Sequence, residues 1–283
     1  LKIATILPYK ENYTFSKAQA AAIWVCDFFK NSVYKKNNYI FGNTNSKDYL
    51  TKNYINVPLK QKKSKFRSTT IEYCNNFISI IKNKDFDIIE IHNRPLVFNY
   101  LKKYLTQKFI LYFHNDPLTM KGSKTTAERL YLLDKIDKIV FVSKWTQRQF
   151  FKKIDPKLIQ KTDVIYPSIN KEKKIYKKEK NIVFVGKLNA SKGYDIYKDA
   201  ILKILDEFDN WRAFSIGDES RDRPHIKHQR HFELGFLEHK KVLKFLDKSE
   251  IAVVPSRWEE PFGRTGLEAS SRGCATIISN RGG

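Results

Sequence analysis

Residues 251–268 read IAVVPSRWEEPFGRTGLE. The apolar run at 251–254 stops at Pro255. Four apolar residues without alternation predict a strand covered on both faces of a parallel sheet. A short loop over 256–260 follows, then Pro261, Phe262 and Gly263, then a helical pattern over 264–272. In an open parallel sheet, ligands bind where strand C-termini meet helix N-termini. The N–H groups of a helix start favour an anion there. Glu260 falls in the loop, and Glu268 falls more than one turn into the helix. They are therefore not neighbours on one face and would reach different parts of an extended ligand. Carboxylates suit paired hydroxyls, because each accepts two hydrogen bonds. Two glutamates at this spacing are also an ordinary surface pattern, so the flanking residues decide.

Working outward, a similar strand-to-helix turn lies upstream, VFVGKLNASKG at 183–193. Lys187 and Lys192 flank it, and two ammonium groups beside a helix start fit a diphosphate. A helix is expected over 193–208, strands over 211–216 and 232–235, a helix over 238–247 and a strand over 275–279. Residues 170–180 hold six lysines without apolar periodicity, which reads as a solvated linker. His225, His228 and His231 recur every three residues and invite a metal reading. Pro224 and the polar surroundings argue against a helix there, and no metal is expected.

The first half alternates in the same way. Strands are expected at 2–7, 39–42, 54–57, 87–91, 109–113 and 136–142. Helices are expected from a Ser16 cap to Phe29, and over 69–82, 96–105 and 143–151, the last capped by Ser143. His114 follows the strand at 109–113, and a residue there faces the ligand crevice. Asn12, Tyr13 and Ser16 in the first loop are candidates for contact with a second substrate. Alternating strands and helices without a short repeat predict two doubly wound α/β domains, 1–170 and 171–283, facing each other across a cleft.

Composition narrows the class. A chain of 283 residues with 41% hydrophobic residues can bury a sizeable core. It has no apolar run of membrane-spanning length and no signal-peptide pattern, which fits a cytoplasmic protein. Cys26, Cys74 and Cys274 are far apart, each in an apolar stretch, and read as small core residues in a reducing compartment. The net charge of +23 attracts phosphate-bearing partners, although a general bias toward lysine codons would also produce it. KQKKSKFR at 60–67 is either an exposed basic loop or a contact with anionic lipid at the inner face of the membrane. The chain opens on Leu1 and stops at Gly283, which fits a fragment.

The E-P-F-G-x4-E run from Glu260 to Glu268 resembles the donor-sugar motif of glycosyltransferase family 4, retaining enzymes of the GT-B fold. Residues 183–193 are similar to the family's V-G-R-L-x3-K-G, with Lys187 where arginine is usual. VIYPSIN at 164–170 resembles the segment joining the two domains. Gly282 and Gly283 stand where the family has a loop near the donor. The family's Gly-Gly pair in the first loop is missing; Lys10, Glu11, Asn12 and Tyr13 stand there, which argues against close approach of a diphosphate.

The resemblance implies two Rossmann-like domains, the first for acceptor and the second, truncated here, for a nucleotide sugar. It implies sugar transfer from a nucleotide diphosphate to a glycan or lipid-linked acceptor, with retention, in surface-polysaccharide or lipopolysaccharide synthesis. His114, Glu260, Lys187 and Lys192 would act at the reacting end. Gly186, Lys187, Lys192, Glu260, Phe262, Gly263, Arg264, Thr265 and Glu268 would hold the donor, Glu268 at the ribose. Asn12, Tyr13 and Ser16 would meet the acceptor. No cofactor or metal is implied, because cations and a helix start neutralise the departing diphosphate. A truncated second domain is expected to be poorly stable and inactive alone. The alternatives are another GT-B enzyme, such as a sugar-nucleotide epimerase or a phosphorylase, or a basic nucleic-acid-binding protein. No interleaved basic and aromatic surface supports the last.

Overall fold

The computed structural model describes residues 1–60, 68–170, 172, 174, 176–221 and 224–283. The segment 61–67, most of the basic loop, lies outside the described residues, as do Lys171, Lys173 and Ile175 of the lysine-rich linker. The chain divides into two units, Leu1–Pro167 and Ser168–Gly283.

Unit 1 is a seven-stranded parallel sheet. Its strands are β1 (Ile3–Ile6), β2 (Asn38–Gly42), β3 (Tyr54–Asn56), β4 (Ile88–His92), β5 (Lys108–Phe113), β6 (Lys138–Phe141) and β7 (Thr162–Val164), in the order β3-β2-β1-β4-β5-β6-β7. The connecting helices are α1 (Ala20–Asn31), α2 (Thr69–Ile81), α3 (Pro95–Leu101), α4 (Thr126–Lys135) and α5 (Lys144–Phe150). Alternate side chains of each strand point to opposite faces. Phe109, Leu111 and Phe113 of β5 join Tyr73 and Phe77 of α2, Phe98 of α3, Leu132 of α4 and Phe150 of α5 in one core. Tyr112 points the other way, to Trp24 and Val25 of α1.

Unit 2 is a five-stranded parallel sheet. Its strands are β8 (Glu179–Val185), β9 (Arg212–Ile216), β10 (His231–Gly235), β11 (Ser249–Val254) and β12 (Ala275–Ile278), in the order β10-β9-β8-β11-β12. Its helices are α6 (Tyr194–Glu207), α7 (His239–Lys248) and α8 (Arg264–Ser271). Tyr194, Tyr197, Ile201 and Leu205 of α6 cover one face; Val242 and Leu246 of α7 and Ala269 of α8 cover the other.

The strand order reverses between β1 and β4 in unit 1 and between β8 and β11 in unit 2. Each reversal opens a crevice at the strand C-termini, the place where such sheets bind ligands.

Four local expectations are corrected. Helix α1 starts at Ala20, not at Ser16; the Ser16 hydroxyl lies 3.4 Å from Thr14 Oγ1, and Gln19 occupies the cap position without a capping bond. Helix α4 has no counterpart in the sequence reading. Its start is a capping box, in which the Thr125 hydroxyl accepts from Glu128 N and the Glu128 carboxylate accepts from Thr125 N at 2.8 Å. Strand β8 begins at Glu179, inside the stretch read as linker. Strand β11 is only half-buried, with Ala252 enclosed but Ile251, Val253 and Val254 partly exposed. The edge strand β12 beside it is itself exposed, so cover there is thin.

Candidate functional site

In unit 2 the loops after β8 and β11 meet at the strand-order reversal. Arg257 N and Trp258 N both donate to Ser191 O, at 3.1 and 2.9 Å. Gly193 makes this approach possible: its φ is +71°, and a Cβ there would lie 1.9 Å from Pro255 O. Arg257 also forms an ion pair with Asp195 in the first turn of α6, whose carboxyl the guanidinium holds below the usual range.

The joined loops bring Lys192 and Glu260 into direct contact as an ion pair through Nζ and Oε1. Ser256 Oγ donates to the same carboxylate oxygen at 2.8 Å. Glu260 is held by its backbone as well. Gly283 N donates to Glu260 O at 2.8 Å, and a Cβ on Gly282 would lie 1.9 Å from that oxygen. Immediately beyond, Gly263 stands at the cap of α8 and supplies no capping side chain. Lys192, Glu260 and the start of α8 thus form one polar mouth. An ammonium has three donors, so Lys192 keeps two N–H groups beyond the one that faces Glu260. Gly186 follows β8, with its N–H donating to Ile216 O at 2.9 Å. Lys187 is exposed just after it, and among the described residues no hydrogen bond or ion pair joins it to Lys192, Glu260 or Glu268. Phe262, Gly263, Arg264 and Thr265 are half-buried around the helix start.

Glu268 is 7% exposed on the inner face of α8. Its Oε1 meets His239 Nε2 at 3.0 Å and Arg264 Nε at 3.2 Å. Burial pushes its carboxyl up, but His239 and Arg264 outweigh burial and hold it below the usual range. It is an ionised acid bracketed by a guanidinium and an imidazole.

In unit 1 the reversal gathers a different set. His114 sits at the end of β5, with its Nε2 2.7 Å from His92 Nδ1 at the end of β4. Trp24 of α1 places an edge against His114 at 4.9 Å. The Glu11 carboxylate accepts from Ala22 N at 3.1 Å, in the first turn of α1. That helix start already holds the chain's own acid. Burial raises the Glu11 carboxyl, against its backbone bonds to Ala22 and Ala21 and the nearby charge of Arg94. The guanidinium of Arg94 lies over the Tyr9 ring at 5.5 Å.

Of the three residues expected to meet an acceptor, Asn12 is half-buried and Ser16 exposed. Tyr13 is a correction. It is 0% exposed, stacked on Tyr54 at 5.1 Å, with its hydroxyl 3.3 Å from Thr51 Oγ1. Burial raises its hydroxyl pKa far above the ordinary value. It is a core residue and offers no surface.

Two of the three regularly spaced histidines make local contacts. His231 Nε2 lies 2.8 Å from Ser215 Oγ, and His228 Nε2 lies 3.6 Å from Asp206. Among the described residues no cluster of three or more His, Cys, Asp or Glu side chains could hold a metal ion. None of their helices is long and apolar enough to cross a membrane. The three cysteines are buried free thiols.

Residues 166–283 match the family model for glycosyl transferases group 1. The match takes in all of unit 2 and less than half of the chain. A putative glycosyltransferase, YtcC of Bacillus subtilis, is 25% identical over 236 residues, covering 72% of this chain but 58% of its own length. The chain thus spans less than two thirds of that relative. Among solved structures, Anabaena HepE in complex with UDP-glucose matches with a TM-score of 0.71 at 14% identity, covering 100% of this chain and 81% of its own. The lipopolysaccharide outer core galactosyltransferase WaaB matches with a TM-score of 0.68 at 18% identity, covering 100% and 82%. At such identities the likeness establishes the fold, and that fold is GT-B.

Within unit 2, the sequence reading named Lys192, Glu260 and Glu268 but missed what holds them. Ser256 anchors Glu260, and His239 anchors Glu268 from a different helix. In unit 1 it missed His92, Asn93, Glu11 and Arg94.

Proposed function

We propose that this protein transfers a sugar from a nucleotide diphosphate sugar to a hydroxyl of a glycan or lipid-linked acceptor, with retention at the anomeric carbon. The observation that carries the reading is the Lys192–Glu260 ion pair at the strand-order reversal of unit 2, beside the start of α8. The diphosphate lies against Lys192, Lys187 and the α8 start after Gly263, with Gly186 allowing backbone approach. Glu260 holds sugar hydroxyls together with the backbone near Phe262 and Gly263. Arg264 and Thr265 line the helix start, and Glu268 takes the ribose hydroxyls. In the reaction the bond from the anomeric carbon to the β-phosphate oxygen breaks. The acceptor oxygen bonds to that carbon from the same face, and its proton passes to the departing phosphate. Positive charge at Lys187, Lys192 and the helix start stabilises the charge growing on the leaving group. Removing one such group commonly costs about 10² to 10³ in rate.

His114 meets the reacting sugar, and Asn12 and Ser16 remain the acceptor contacts of the first loop. The chemistry needs no metal, and the protein works in the cytoplasm on surface-polysaccharide or lipopolysaccharide intermediates. YtcC, WaaB and the UDP-glucose complex of HepE support this direction, each for what it is itself described to be.

The test is a thermal-shift screen against UDP-, GDP- and dTDP-sugars with and without EDTA. A ligand at 100 times its Kd adds about 2.7 kcal/mol of stability. One nucleotide sugar should shift the melting of unit 2, equally with EDTA, and the shift should vanish in Lys192→Ala. No shift with any nucleotide sugar would overturn the reading.

A further inference from the structure

His92 and Asn93 are consecutive at the end of β4, and both grip His114 on the adjacent strand. The pairing of His92 with Tyr112 puts His114 two residues beyond, at the same edge of the sheet. His92 Nδ1 and His114 Nε2 are 2.7 Å apart. At that separation one nitrogen donates and the other accepts. The surroundings of His92 decide which.

The His92 ring is 1% exposed and lies flat on Tyr112, at 4.7 Å with 8° between planes. Its Nε2 is buried without a hydrogen-bond partner among the described residues. A hydrogen there would be an orphaned buried donor, which proteins tolerate less readily than an under-satisfied acceptor. Burial and the neighbouring His114 push its pKa well below the ordinary histidine value, so the ring is neutral and carries one hydrogen. That hydrogen sits on Nδ1 and is donated to His114 Nε2. A neutral His114 must then carry its own hydrogen on Nδ1.

Asn93 grips the backbone of the same residue. Its Oδ1 accepts from His114 N at 2.8 Å and from Asn115 N at 3.1 Å. Its own N donates to Tyr112 O at 2.8 Å. To do so it adopts φ +56°, a left-handed conformation that asparagine tolerates better than most residues. The Trp24 and His114 rings also meet at 77°, with centroids 4.9 Å apart.

We propose that His92 and Asn93 are positioning residues for His114: together they fix its backbone, its ring plane and its tautomer, so that it presents an N–H donor at Nδ1 and not at Nε2. This deepens the transfer reading, because the group such a donor meets is an oxygen of the reacting sugar.

Nitrogen-15 NMR of the uniformly labelled full chain tests the pair without any substrate. His114→Gln and His92→Asn assign the two rings among the six histidines. Both rings should show the Nδ1–H tautomer near pH 7 in the unaltered protein. In His92→Leu, His114 should move toward the Nε2–H form that free histidine prefers in water. An Nε2–H tautomer for His114 in the unaltered protein, or no change in His92→Leu, would overturn the proposal. Kinetics with the nucleotide sugar found by thermal shift give a second reading. His92→Leu should lower kcat about tenfold at unchanged donor KM, the order expected when a group that only orients another is lost. His92→Asn, which keeps an N–H near the Nδ1 position, should recover most of that loss, and Asn93→Asp should outperform Asn93→Ala. Equal losses in His92→Leu and His92→Asn would reduce His92 to a packing residue. Absence of any nucleotide-sugar binding by the unaltered chain would sink the proposed activity and leave the tautomer result standing.

Discussion

Both units bury glutamates behind their strand-order reversals, and they treat them oppositely. Glu268 in unit 2 is enclosed with His239 and Arg264, and these partners hold its carboxyl below the usual range against the pull of burial. Glu90 in unit 1 is enclosed with hydroxyls. Burial raises its carboxyl, against hydrogen bonds from Thr5 and Tyr112. The Thr5 hydroxyl lies 2.8 Å from Glu90 Oε2 and 2.9 Å from Asn38 Oδ1. One hydroxyl has one hydrogen, so a protonated Glu90 completes both contacts. Glu11 and His92 are likewise shifted by burial toward their neutral forms. The reversal of unit 1 thus gathers acids that burial shifts toward protonation, and that of unit 2 an acid that its neighbours shift the other way.

The largest expected effect comes from breaking the bracket around Glu268. Glu268→Ala leaves Arg264 buried beside the hole and should cost unit 2 about 3 to 5 kcal/mol in urea unfolding, with weaker nucleotide binding. The loss should fade in acid. A depressed carboxyl contributes its stability above the ordinary value of 4.5 and loses it as pH falls through the folded value. A cost below about 1 kcal/mol at pH 7 would show that Glu268 is not held as an ion.

Next is the exposed counterpart. Glu260 and Lys192 retain 18% and 31% side-chain exposure, so Glu260→Ala should change stability by less than about 1 kcal/mol. Turnover should fall about a hundredfold. Equal, small effects of both glutamate substitutions on binding and turnover would erase the roles given to them.

The smallest effect has the opposite sign. A raised carboxyl contributes its stability fully below 4.5 and loses it as pH rises through the folded value. Glu90→Gln mimics the protonated acid, so it should stabilise unit 1 at pH 7 and remove that slope from its unfolding curve. Destabilisation at every pH would mean that Glu90 is an ion after all, and the contrast between the units would fail.

The fold was legible because its strands are short apolar runs that end at Gly or Pro, as at Gly186 and Pro255. Helix α4 was not, because its apolar spacing is weak and its one clear sign, Thr125 with Glu128, lies in a polar stretch. The pair Lys192 and Glu260 could be read because each stands in a recognisable loop, and two loops flanking one reversal must meet. His92 and His114 could not be paired in the same way. Their partnership depends on β4 and β5 being neighbours with a particular register. A sign was nonetheless present: both strands end in His-Asn-x-Pro, at His92-Asn93-Arg94-Pro95 and at His114-Asn115-Asp116-Pro117. Tyr13 was misread because a hydroxyl in a loop suggests a ligand, whereas the ring beneath it is what the fold uses. Ser16 was misread as a cap because the acid five residues before it, Glu11, does that work from across the loop.

The missing side chain at Gly193 has a mechanical consequence. With Pro255 O where a Cβ of residue 193 would stand, the loops that carry Lys192 and Glu260 pack directly against each other. The two loops are held together at this point, so a shift of one would carry the other with it. Any residue larger than glycine at this point would prise the loops apart before a ligand arrived.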